Sequence, residues 1–163
     1  MRYLLLFVFM IASLKAAPKM GLEADYADYD GKRIHMLGSV FIQHEFGDIR
    51  CDRGEMLMKD TPDKGLDPDR IKLYGSVEVI LKDGSILTSD EADIACDTLI
   101  GIFTAEAPQK VVYITRVEDA GRTVPVKTMS RAMKVTMKRE STEYVIDDIQ
   151  AEGAVNIEYQ VGE

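Results

Sequence analysis

Three segments of the chain open on one phrase: Gly38-Ser39-Val40-Phe41-Ile42, Gly75-Ser76-Val77-Glu78-Val79 and Gly153-Ala154-Val155-Asn156-Ile157. Their glycines stand 37 and 78 residues apart, and 78 is close to two steps of 37, so a unit of nearly fixed size recurs. After each glycine the apolar period is two. Val40, Ile42, His44 and Phe46 alternate with Phe41, Gln43 and Glu45; Val77, Val79 and Leu81 alternate with Glu78, Ile80 and Lys82; Val155, Ile157 and Tyr159 alternate with Asn156, Glu158 and Gln160. The phase is the same each time, so every second residue counted from the glycine faces a common interior.

A second phrase follows the first two. Gly47-Asp48-Ile49-Arg50-Cys51-Asp52 and Gly84-Ser85-Ile86-Leu87-Thr88-Ser89-Asp90 each come after a Gly-x-Val strand and a turn, and Asp83-Gly84 has the chemistry of a tight hairpin. The third unit is less regular: Leu99 to Ala105 and Val111 to Val117 read as its strands, with Pro108 where the glycine would stand. Val124 to Met137 and Glu143 to Ile149 supply the fourth, and Met133, Val135 and Met137 keep the inward spacing. Asp60 to Asp69 is too rich in Pro and Gly to be a strand, and Glu118 to Arg122 is a turn. No segment past residue 17 has a helical period. The domain is expected to be nearly all β.

At 163 residues the chain holds one domain, or one quasi-continuous stack of units, large enough to close its own core. Its first 17 residues have the pattern of an export signal: Arg2, an apolar run from Leu4 to Leu14, then Ala16 and Ala17. That run is too short to span a bilayer as a permanent helix. Cleavage is placed after Ala16, because a cut after Ala17 would set Pro18 behind the scissile bond and Lys15 where a small residue is needed. Retention as an uncleaved anchor is the competing reading. Removing residues 1 to 16 takes away Arg2 and Lys15 and no acid, so the formal charge goes from -8 to -10. So acidic a domain is not suited to nucleic acid. Export sets Cys51 and Cys96 in an oxidising compartment, where a bond is chemically allowed. Aligning Asp52 with Asp90 puts Cys51 opposite Ser89 and Cys96 opposite Met58, different points of neighbouring units, which argues against that bond.

The inward set is Val40, Ile42, Val77, Val79, Leu81, Met133, Val135, Met137, Val155 and Ile157. It fits a filled core or an open apolar groove equally well. His35 and His44 are the only histidines, and no paired-ligand motif accompanies them, so no metal is expected. Repeated Asp, such as Asp90 and Asp93, is more often a turn residue bonded to local backbone than an acid-base pair. No nucleophile elbow or phosphate loop is present. No enzyme and no cofactor is expected.

Taken together, Ala24-Asp25 with Asp30, Gly38-x-Val40-x-Ile42 followed by Ile49-x-Cys51-Asp52, Gly75-x-Val77-x-Val79 followed by Leu87-x-Ser89-Asp90-x-Ala92, and Gly153-x-Val155-x-Ile157 resemble the OstA-like family of lipopolysaccharide-transport proteins. The resemblance covers residues 22 to 160. It implies a β-jellyroll of stacked V- or C-shaped antiparallel rungs around an apolar groove, located in the periplasm. It also implies lipopolysaccharide as ligand, with lipid A acyl chains buried along the inward set, and favours the groove over the filled core. Other OstA-like domains are the implied partners, joined by edge-strand addition, with head-to-tail self-association through the strands near Leu22 to Asp28 and Ala154 to Tyr159. On this reading the basic stretch Lys127, Arg131, Lys134, Lys138 and Arg139 is either a solvated strand face or a contact for lipid phosphates.

Overall fold

The structure is a computed structural model that describes residues 20–60, 67–141 and 143–159. The export segment expected at residues 1 to 16 lies outside the described residues. The described chain is all β, and its twelve strands form one antiparallel sheet that does not close on itself. They are β1 (Gly21–Glu23), β2 (Tyr26–Tyr29), β3 (Arg33–His44), β4 (Gly47–Met58), β5 (Pro68–Leu81), β6 (Ile86–Ala95), β7 (Ile100–Thr104), β8 (Val111–Asp119), β9 (Arg122–Ser130), β10 (Ala132–Glu140), β11 (Glu143–Glu152) and β12 (Asn156–Tyr159).

Of the recurring glycines only Gly153, in the bend between β11 and β12, stands ahead of a strand. Gly38 and Gly75 sit in the middle of β3 and β5, and pairing runs on at both sides. Residues 38 and 39 of β3 are passed over against residue 52 of β4, and residues 75 and 76 of β5 against residue 90 of β6. Each is a bulge, which bends and twists the strand that carries it. Both members of each bulge are left-handed, Gly38 and Ser39 at φ of 73° and 47° and Gly75 and Ser76 at the same values. The Gly153-Ala154 pair has the same conformation, at 73° and 39°.

Each of these glycines is covered by a side chain from another part of the chain, and at Gly75 that side chain comes from the second phrase. A Cβ at Gly38 would strike the Asp25 carboxylate, one at Gly75 the Asp52 carboxylate, and one at Gly153 the Arg131 side chain at 3.1 Å. Asp25 N–H donates to the Gly38 carbonyl (2.9 Å), and Ser39 Oγ to Asp25 Oδ2 (3.1 Å). Beside Asp52, Asp90 and Arg131 a short side chain donates to the carbonyl two residues on: Cys51 to Arg53 (3.2 Å), Ser89 to Glu91 (2.9 Å) and Ser130 to Ala132 (2.8 Å). In the third unit the corner is a break between β7 and β8, where Glu106 N–H donates to Asp90 Oδ2 (2.8 Å) just before the cis Ala107-Pro108 bond.

This line of corners divides the sheet into two wings. One contains β1, residues 40–44, 47–51, 77–81 and 86–89, and β8, β9 and β12; the other contains β2, residues 33–37, 53–58, 68–74 and 91–95, and β7, β10 and β11. The stretch expected as one segment from Val124 to Met137 is cut at Arg131 because β9 and β10 belong to different wings.

Candidate functional site

Strand alternation sends every second side chain of both wings to one interior. Before the corner Ile34 and Met36 point inward, after it Val40 and Ile42; in β5, Ile71 and Leu73 are followed by Val77 and Val79. Each such burial contributes roughly 1.5–3 kcal/mol. Eight of the residues expected to line the interior are buried there: Val40, Ile42, Val77, Val79, Leu81, Met133, Val135 and Met137. Four methionines, Met36, Met56, Met133 and Met137, belong to this core.

Val155 and Ile157 are not in it. They are 48% and 51% exposed, although Ile157 and Tyr159 face the same way as Thr128 and Val126, their register partners on β9. The phase holds and the burial does not, because among the described residues β12 pairs only with β9 and no further strand covers its inner face. Periodicity reports which way a side chain points; a neighbour decides whether it is covered.

Residues of the interior that the glycine-anchored pattern passed over lie N-terminal to the corners or in the irregular unit: Ile34, Met36, Ile71, Leu73, Phe103 and Tyr113. The same period of two, carried backwards through Gly38 and Gly75, marks the first four. Inside, Tyr113 O–H donates to Ser85 Oγ (3.4 Å), which donates to Thr115 Oγ1 (3.0 Å). No charged side chain is among the buried residues described.

Two spaces adjoin this interior. Phe46, Val79, Leu81 and Leu87 of one wing and Ile94, Phe103, Val135 and Met137 of the other border an apolar crevice of only about 10 Å³, room for about one water. Beyond the strand ends lies a cavity of about 310 Å³, walled in part by His44, Lys59, Cys96, Arg139 and Tyr144. His44 is half-buried, and loss of solvent holds its imidazole below the usual 6.5, with the nearby Glu45 charge opposing. Burial pushes the Cys96 thiol up to about 12 and raises the Tyr144 phenol, beside which Glu45 acts in the same direction. Cys51 is buried against its own corner, its thiol pushed up to about 11, and both cysteines are free.

The carboxylates singled out from sequence are bound into the scaffold. Asp90 accepts at the third corner, and Asp93 forms a two-point pair with Arg70 (2.5 and 2.7 Å). Nor do the basic residues gather into one face. Lys127 on β9 pairs with Glu158 (3.7 Å), while on the other wing Lys138 bridges Glu140 and Asp147 (3.0 Å each) and Arg139 lies over the Tyr144 ring. Arg131 is a corner residue, and Lys134 is solvated on the outer side of β10. His35, on the outer side of β3, stands 3.6 Å from Asp30 and 3.9 Å from Glu55.

No protein-family model matches the chain, and no curated protein matches it.

Proposed function

We propose that this chain is a periplasmic, non-enzymatic carrier and bridge for lipopolysaccharide, its two wings forming the V-shaped rungs of a β-jellyroll that shields acyl chains. The last rung carries the reading. At β12 the exposed Ile157 and Tyr159, with Val155 just before the strand, continue the inward apolar row to an edge that has no partner among the described residues. An apolar inner face ending at an open edge is a surface built to be continued, by an acyl chain along the face and a strand along the edge. At the other end β1 and β2 pair only with β3, so open edges stand at both ends of the described sheet. A charge-free interior suits alkyl chains, since each buried CH₂ is worth about 0.8 kcal/mol and an unpaired polar group would cost more.

One observation favours a second reading. At about 10 Å³ the crevice between the wings is too small for an acyl chain, which suits a β scaffold that joins end to end without cargo. Photocrosslinking separates the two. Probes at Val79 and Val135, which border the crevice, should capture lipopolysaccharide, and probes at the outward Glu78 and Lys134 should not. Equal labelling at inward and outward positions, or none, decides for the scaffold.

A further inference from the structure

The crevice and the outer cavity lie in line. Along β10 the inward positions run Val135, Met137, Arg139; the first two border the crevice and the third borders the cavity. Along β6 the same step leads from Ile94 to Cys96, and at the β3–β4 turn from Phe46 to His44. Phe46 is among the largest fully buried side chains, and its ring lies 4.2 Å from that of His44. Its backbone N–H donates to His44 Nδ1 at 3.4 Å, so that nitrogen has to be unprotonated while the pair is intact.

We propose that His44 and Phe46 form a gate between the outer cavity and the apolar crevice, closed while His44 is neutral, and that its ligand is a single alkyl chain with a polar head. The chain passes Phe46 and parts the crevice; the head stays in the outer cavity, where Lys59 and Arg139 stand with Glu45 and Asp67. This rests on the carrier reading and adds where the chain goes in and what controls it. Protonating His44 removes the acceptor of the Phe46 N–H and puts charge on a half-buried imidazole. The titratable groups facing His44 are Glu45 in its own turn, Lys59 beyond β4, Asp67 before β5, Cys96 beyond β6, Arg139 on β10 and Tyr144 on β11. Burial keeps the Cys96 thiol and the Tyr144 phenol protonated around neutrality, so negative charge facing an imidazolium comes from Glu45 and from Asp67, which is paired with Lys59 (3.4 Å), while Lys59 and Arg139 oppose it.

The test is titration of the domain with N-phenyl-1-naphthylamine, an apolar dye that brightens when it leaves water. In F46A the dye should bind about tenfold more tightly than in wild type at neutral pH, because no buried ring has to be displaced. Wild type should bind it more tightly as the pH falls below 6.5, the ordinary histidine value, whereas H44F, aromatic and never charged, should not respond. Equal binding by F46A and wild type, or the same acid response in H44F, overturns the gate. If F46A does not fold by circular dichroism, F46L takes its place with the same expected direction. Dye uptake gained in F46A without any crosslink to lipopolysaccharide keeps the gate and refutes the cargo; crosslinking with unchanged dye binding does the reverse.

Discussion

Gly75 is required for two separate reasons, and they can be measured apart. Its φ of 73° disfavours any side chain, and a Cβ there would collide with the Asp52 carboxylate. Gly84, at φ of 82°, has nothing within 4 Å of that position. G84A should therefore lose about 1 kcal/mol in urea unfolding and G75A roughly 2–4 kcal/mol. Replacing Asp52 with Ala in the G75A background should recover the steric part of that loss, by a double-mutant cycle. At Cys51, whose thiol makes the bond that Ser89 and Ser130 make at their own corners, C51S should stay within about 1 kcal/mol of wild type. His44 links stability to pH. Its folded value is below 6.5, so the unfolded chain takes up the proton first, and stability present above 6.5 is lost as the pH falls through it. The H44F variant should show a shallower acid slope in the unfolding midpoint. These side chains were legible in the sequence as members of a repeat, Cys51 against Ser89 included. What could not be read was that Asp52 rests on Gly75, because that contact lies across strands.

Among the strands, β12 is the most informative. Substituting Pro at Ile157 or Tyr159, whose amides alternate away from the β9 ladder, removes a donor from an exposed edge and should weaken self-association while leaving a folded monomer, as seen by sedimentation and circular dichroism. Unchanged association would show that this edge joins nothing. The period-two pattern identified the strands and the inward side of each, including Val40, Ile42, Val77 and Val79. It placed the glycines at strand starts instead of mid-strand because a bulge keeps the same parity on both sides: Ile34 and Met36 precede it and Val40 and Ile42 follow, all inward. Alternation alone cannot tell a strand that begins at a glycine from one that bends there. It also ran through Arg131, where the chain changes wing and the inward phase steps by three, from Ser130 to Met133. The Lys127 to Arg139 stretch looked like one basic region for the same reason, and the change of wing disperses it.

For the molecule as a whole, repetition gave the all-β architecture, and the wings follow from four corners in line. The volume between the wings was not legible, because packing depends on which side chains meet across the interior and not on which way each one points. Phe46 and Phe103 approach from opposite wings and, with Val79, Leu87 and Met137, leave almost no space. Carrying lipid therefore requires an interior that opens for its ligand, and lipid found in the isolated domain is the most direct measure of it. Organic extraction of the purified, folded domain from a lipopolysaccharide-producing host, followed by mass spectrometry, should release acyl-chain lipid in near one-to-one amount, with less in a variant carrying Asp at Val79. A lipid-free extract from well-folded protein that still assembles end to end would contradict it.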